Sequence, residues 1–280
     1  MTSLSYDALT EHIESGGDSG SDETIDDTYD ANTSNGYTSS ATLYTLSSAS
    51  EADTFLTRFK RSNGYIDSTT SAKLHLGDQI KIQDGSYNAT WYIAGFDKEH
   101  NQSAADGTLF DNGYGICLVP VTTLGNIQWN TSKTTSGGYI SSNAHAQVNG
   151  ANSGTIRNSL ISILENHLVE RNVLLSSAVA TSGYYVGYAT AYTWATAYCT
   201  LMSVGQCTGT FASNKTKYDD GEANYKLPLF DKIGYSNSNG YWFRNVYDAT
   251  RACFTTGDGT LASDGYTNYQ LGSRPLIYIR

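Results

Sequence analysis

The chain has 280 residues, 39% apolar and 16% charged, with a formal net charge of −10. That balance argues against a nucleic-acid binder, which needs a basic face, and no stretch approaches the roughly 20 apolar residues of a membrane-spanning helix. The acid is concentrated at one end: residues 1–30 hold nine carboxylates and no Lys or Arg, which leaves 18 acids against 17 bases in residues 31–280.

Residues 1–40 read as a disordered acidic tail. Ser15-Gly16-Gly17-Asp18-Ser19-Gly20-Ser21-Asp22 offers nothing apolar to bury, and its like charges repel. Met1–Asp7 has no basic start followed by an apolar stretch, so no secretory signal is expected. A short helix at Ser5–Glu14 would place Leu4, Leu9 and Ile13 on one side; the tail is either a solvated end or a peptide that docks on a partner. Residues 41–74 read as an attachment or oligomerisation segment. Within it Ser50–Phe59 has acids early and a base late, as the helix dipole favours. Its Phe55, Leu56 and Phe59 would meet the main domain or a neighbouring subunit.

Leu74–Ile82 alternates like a strand, Asp84-Gly85-Ser86 is a turn and Ala89–Phe96 is a second strand, together a hairpin. Tyr114–Val121 is apolar enough for a buried strand. Thr155–Val169 repeats Ile156, Leu160, Ile163, Leu164, Leu168 and Val169 at helical spacing, with Asn152 or Ser153 as its expected cap. Val173–Val179 reads as a strand, Trp194–Cys207 as ambiguous with a short helix near Leu201–Gln206, and the rest as strands at Gly240–Arg244, Ala252–Thr255 and Gly272–Ile279. The palette of 22 Tyr and 27 Gly, with many Ser, Thr and Asn, is that of adaptable binding loops and of loop-rich β proteins.

Catalytic signatures are lacking. The five His (12, 75, 100, 145, 167) form no HxH or HExxH pair, and neither a G-x-S-x-G elbow nor a phosphate-binding Gly loop is present. Asp219-Asp220-Gly221-Glu222 lacks the spaced ligands of a calcium loop and reads as a solvated turn. Cys117, Cys199, Cys207 and Cys253 are too sparse for a disulfide framework and lack zinc-knuckle spacing. The expectation is a non-enzyme with no metal and no cofactor.

Several elements occur in a telling order. Trp91-Tyr92-Ile93-Ala94-Gly95 is similar to the W-x-I-x-G strand of many C-type-lectin-fold domains. Gly137–Ser142 precedes a helix, His167–Leu175 and Leu201-Met202-Ser203 follow, and Tyr241-Trp242-Phe243-Arg244 and Gly272-Ser273-Arg274-Pro275 close the chain. Over residues 75–280 this resembles a family common in gut bacterial phages and prophages, some of whose members are the variable proteins of diversity-generating retroelements. The resemblance implies an α+β C-type lectin fold, a mixed and mostly antiparallel β structure with one or two helices, used as a ligand-binding domain. It further implies a virion location, such as a tail fibre, with synthesis in the bacterial host cytoplasm. Other virion proteins and a bacterial cell-surface protein or glycan would be its partners, and homo-oligomers, trimers above all, its assembly. The alternative is a structural virion protein, a capsid decoration or fibre subunit without a receptor.

In such variable proteins the stretch before the terminal G-x-R-P strand changes by mutation at adenines, and AAY codons altered in this way never yield Lys, Glu, Gln, Met or Trp. Residues 243–269 contain none of these five types. On that basis Tyr247, Asp248, Arg251, Thr256, Gly257, Asp258, Thr260, Ala262, Asp264, Tyr266 and Asn268 are the candidate ligand contacts. Trp242, Arg244, Phe254, Gly259, Gly272, Arg274 and Pro275 are the expected framework, the two glycines at turns of positive φ and the two arginines tying loops through backbone carbonyls. The E-P-N, Q-P-D and W-N-D elements of calcium-dependent sugar binders are absent, as is the close Cys pair of formylglycine-generating enzymes, which share the broad fold.

Overall fold

A computed structural model of the chain describes residues 37–59, 65–67, 69–70, 72–99, 101–103, 109–180, 189–209, 226–235 and 239–280, with the backbone alone at 101–103, 109–110 and 261–264. Residues 1–36 of the expected tail, with the helix Ser5–Glu14 and His12, and His100 and the Asp219–Glu222 turn lie outside these residues; the last four residues of that tail are described, and Tyr37 bridges Leu76 and packs against the core.

In chain order the elements are β1 (Leu43–Leu46), α1 (Ala49–Arg58), β2 (Gln79–Gln83), β3 (Asn88–Phe96), β4 (Asn101–Ser103), β5 (Leu109–Asp111), β6 (Ile116–Pro120), β7 (Asn126–Gln128), α2 (Asn143–Asn149) and α3 (Ile156–Leu164). There follow β8 (Arg171–Val179), β9 (Ala189–Ala197), β10 (Thr200–Leu201), α4 (Val204–Thr208), α5 (Phe230–Ile233), β11 (Tyr241–Val246), β12 (Arg251–Thr255), β13 (Leu261–Tyr266), β14 (Gln270–Gly272) and β15 (Pro275–Ile279). The class is α+β. One sheet of six strands runs β1-β2-β3-β6-β15-β10, and a second of five runs β13-β12-β11-β14-β7. Only the β1–β2 and β11–β14 pairings within them are parallel. β4–β5 and β8–β9 form separate ribbons.

The six-stranded sheet is buried on both faces at its centre. Every residue of β6 and β15 is buried, and the strand period of two divides their side chains between the faces. Ile116, Leu118, Ile277 and Ile279 join Phe55, Leu160, Ile163 and Leu164 beneath the helices. Cys117, Val119, Leu276 and Tyr278 meet Tyr241 and Phe243 of the five-stranded sheet and Met202 and Cys207 near α4. Residues 43–59 belong to this packing. β1 extends the sheet beside β2, and Phe55 and Phe59 share a core with Ile80 and Trp91, so packing is continuous across residues 74–75.

Local signals set most boundaries. Asp84 accepts from Ser86 N at 2.7 Å and Tyr87 N at 2.8 Å, which closes the β2–β3 hairpin. Ser48 caps α1 by accepting from Glu51 N. Ser203 and Gln206 form a reciprocal capping box on α4, and Gly209 ends it at φ 72°. Several expectations shift. The strand expected over Leu74–Ile82 begins only at Gln79, the one over Gly272–Ile279 is broken at Ser273-Arg274, and the helix near Leu201–Gln206 starts at Val204 with Leu201 in β10. The cap of α3 is Thr155 rather than Asn152 or Ser153, because Gly154 turns the chain at φ 85° and Thr155 is the extended residue that accepts from Asn158 N. That helix stops at Leu164, since Glu165 takes φ 47° and Leu168 and Val169 bridge to β15.

Arg171 and Glu99 form a buried pair, Nη1 to Oε2 at 3.1 Å, with Gln206 Nε2 donating to the other Glu99 oxygen at 3.3 Å. Arg171 Nη2 also donates to Leu276 O at 3.3 Å, so one guanidinium joins β8 to β15. Removing one buried partner strands the other's charge. Glu99→Ala is expected to lower stability in urea unfolding by about 3–5 kcal/mol, and the paired Glu99→Leu/Arg171→Met change to restore most of it.

His145 donates from Nδ1 to Ile140 O at 3.1 Å and lies edge-on to Tyr139, while its Nε2 is buried without a partner. Burial lowers its pKa below 6.5, against the opposing pull of the Ile140 carbonyl. The folded chain therefore binds this proton more weakly than the unfolded chain. The stability is complete above about pH 6.5 and declines as the pH falls below it. Melting temperature is expected to drop between pH 7 and pH 5, and His145→Asn to flatten that slope; an unchanged slope in the variant would refute the assignment.

Candidate functional site

The candidate contacts belong to the outer part of the five-stranded sheet. β11 carries the framework: Trp242 is fully buried, donates from Nε1 to Ile127 O at 3.1 Å and meets Phe254 edge to face at 5.7 Å. Arg244 Nη1 donates to Leu201 O at 3.0 Å and Thr200 Oγ1 at 3.3 Å, which ties β11 to β10. Arg274 donates from Nε to Pro120 O at 3.0 Å and from Nη1 to Tyr235 O at 3.3 Å, and its guanidinium carbon lies 5.4 Å from each of the Phe230 and Tyr241 ring centres. Both arginines thus bind backbone carbonyls. Gly259 turns at φ 85°. Gly272 does not: it is a strand residue whose added Cβ would stand 2.4 Å from Thr123 Cγ2, so close approach of chains is what requires glycine there.

Two turns flank β12. In the first, Tyr247 N and Asp248 N both donate to Arg251 O, at 3.0 and 3.1 Å. Asp248 accepts from Thr250 N at 2.8 Å and pairs with the Arg251 guanidinium, which also lies 5.3 Å from the Tyr247 ring centre. Burial raises the Asp248 pKa, but its bonds from Arg251 and Thr250 outweigh this and the net shift is downward. In the second turn, Thr256 N donates to Thr260 O at 2.9 Å, and the Asp258 carboxylate accepts from Thr256 Oγ1 and Thr260 N. Those bonds lower the Asp258 pKa and commit that carboxylate to its own loop.

The register separates the candidates into two groups. Arg251 lies opposite Tyr266 and Thr255 opposite Leu261. Tyr247, Asp248, Arg251, Tyr266 and Asn268 therefore gather at one end of β12. Thr256, Gly257, Asp258 and Thr260 gather at the other, roughly 15 Å away at strand rise. Ala262 and Asp264 lie on β13, where only the backbone is described.

The first group has members not anticipated above. Tyr269 is 50% exposed and packs edge to face on Tyr266 at 5.6 Å. Lys133 Nζ stands 4.2 Å from the Tyr266 ring centre. Its loop is tied underneath by Thr135 Oγ1 to Asp248 O at 2.6 Å, Thr135 N to Ala249 O at 3.0 Å and Thr267 Oγ1 to Ser132 O at 2.9 Å. Tyr269 sits at the end of the stretch free of Lys, Glu, Gln, Met and Trp, so a signal for it existed. Lys133 carries none, because only the fold brings residue 133 to residue 266. Gly265 also belongs to the frame: its added Cβ would meet Phe254 Cδ1 at 2.8 Å and Trp242 Cη2 at 2.9 Å.

Among the described residues no three His, Cys, Asp or Glu side chains group to hold a metal ion. The four cysteines are buried and form no disulfide, and burial pushes Cys199 and Cys207 up to about 12, so both are thiols at neutral pH. Searches of family models, curated proteins and solved structures return no match to the chain.

A lysine offers neither the fork that reaches both carbonyls nor the flat face between the two rings. Arg274→Lys is therefore expected to cost about 2–4 kcal/mol in denaturant unfolding, whereas Thr260→Ala in the exposed turn is expected to stay within about 0.5 kcal/mol.

Proposed function

We propose that the chain is a receptor-binding protein of a phage virion, with a C-type lectin fold that presents an exchangeable surface to a bacterial cell-surface protein or glycan. One contrast supports this reading. None of the nine described candidate contacts is buried, while Trp242, Arg244 and Arg274 beneath them are. Side chains on the two turns can therefore change with little cost to a frame held by backbone carbonyls and ring packing. The group around Arg251 is the better contact surface. It combines Tyr247, Tyr266 and Tyr269 with Arg251 and Lys133, the residue types richest in binding energy at interfaces being Tyr and Arg. Attachment to the particle would fall to the acidic tail and the exposed parts of residues 41–74, and joining several copies would add avidity.

Binding of the labelled protein to intact gut bacteria, read by flow cytometry, tests the proposal. Ala at Tyr247, Arg251, Tyr266 and Tyr269 together is expected to weaken binding by more than about tenfold. Ala at Thr256, Asp258 and Thr260 is expected to change it by less than about threefold. If folded protein binds no cell type, or binds equally with both sets replaced, a structural virion role takes its place.

A further inference from the structure

Next to Tyr266 in the chain stands a fully buried threonine. Thr267 N donates to Thr250 O at 3.1 Å, and Thr267 O accepts from Asn130 N at 2.8 Å. The Thr267 hydroxyl donates to Ser132 O at 2.9 Å, with Thr250 O at 3.2 Å sharing the proton, and it accepts from Thr134 N at 3.0 Å. One oxygen therefore joins the two residues that flank Lys133.

The other bonds of that loop lie within it or at its ends. Asn130 Nδ2 donates to Thr134 O at 2.7 Å, and Thr134 N also reaches Ser132 O at 2.8 Å. Thr135 fastens the far end to Asp248 O and Ala249 O. Among the described residues, the Thr267 hydroxyl is the one hydrogen-bonding group outside the loop that residues 132–134 reach. Lys133 is exposed, and its ammonium stands 4.2 Å from the Tyr266 ring centre. Ordering a lysine costs rotamer entropy, and an exposed cation–ring contact repays little of it. A backbone already fixed on both sides of Lys133 leaves less to order.

We propose that Thr267 is the positioning residue of this surface: its hydroxyl fixes the tip of the 130–135 loop, so that Lys133 stands beside Tyr266 as a ligand contact. Residues 243–269 contain no Lys, so the surface takes this cation from another part of the chain. The role of Lys133 as a contact rests on the binding function proposed above; the hold of Thr267 on Lys133 does not.

Reductive dimethylation of the folded protein with isotope-labelled formaldehyde keeps each lysine charged. It gives Lys133 a methyl resonance, assigned by its loss in Lys133→Arg. The Tyr266 ring current is expected to displace that resonance, and Tyr266→Leu marks its undisplaced position. Thr267→Val, which exchanges the hydroxyl for a methyl, is expected to remove most of the displacement, and Thr267→Ser to keep it. Binding to intact bacteria is the second readout. Thr267→Val and Lys133→Ala are each expected to weaken it by about fivefold or more, and Thr267→Ser by less than about twofold. On the Lys133→Ala background, Thr267→Val is expected to add less than about twofold, since the two act as one unit. Circular dichroism confirms folding, and Thr267→Cys, whose thiol is a weak donor, replaces Thr267→Val if that variant does not fold. A Lys133 resonance that Tyr266→Leu or loss of the hydroxyl leaves unmoved overturns the proposal, as does a full further loss of binding on the Lys133→Ala background. If no cell type binds, the function proposed above fails, and the Lys133 resonance still decides whether Thr267 holds the loop.

Discussion

The step from one sheet to the other at the C-terminal end is made by two residues, and its middle is a buried guanidinium. β14 ends at Gly272 and β15 begins at Pro275, so Ser273 and Arg274 alone carry the chain across. A crossing this short forces the two sheet ends together and removes Arg274 from water. A buried charge needs compensation. Here two carbonyls, a phenol oxygen and two ring faces supply it. Ser273 is latched as well, its N donating to Gly125 O at 2.8 Å and its O accepting from Leu124 N at 2.9 Å. The position of β11 follows, since Tyr241 pairs with Gly272, and β12 and β13 are built outward from β11.

That order gives the outer sheet a graded character. β11 lies nearest the crossing, and its first five residues are all buried. β12 is mixed, with Ala252, Cys253 and Thr255 buried and Arg251 and Phe254 partly exposed, and the turns on either side of it hold no buried residue. Within residues 243–269 the chain therefore mixes two kinds of position. Ala252, Cys253, Thr255, Gly265 and Thr267 are held by packing or by backbone bonds, whereas Tyr247, Asp258, Thr260 and Tyr269 meet water. Composition alone treats the whole stretch as one unit. Gly265 shows why that fails: its neighbours are Trp242 and Phe254, and any side chain there would displace both.

Charge is used in the same way at three places. Arg171, Arg244 and Arg274 are buried and each joins elements distant in sequence, through Leu276, Leu201 and Pro120 carbonyls in turn. The planar fork suits this role, since it donates in several directions from a fixed plane. Arg251 and Lys133, by contrast, lie over tyrosine rings at the surface.

Local pattern alone was enough to locate the β2–β3 hairpin, α1, most of α3, β6, β11 and β12, whereas the framework roles of Trp242, Arg244 and Arg274 came from the resemblance to a family. Each of these elements rests on neighbours within a few residues: an Asp-Gly-Ser turn or a period of two or of 3.6. β1, β7 and β14 were not legible, because short strands gain their ladder partners from residues far along the chain. The ambiguity around Trp194 has the same origin: β9 is a strand because it lies against β8. The split of the candidate contacts into two groups and the arrival of Lys133 over Tyr266 were likewise decided only in three dimensions. A sequence specifies which side chains want burial or a turn, through local sterics and hydrophobic period; which of them meet is set by the register and crossing of strands, which no local window contains.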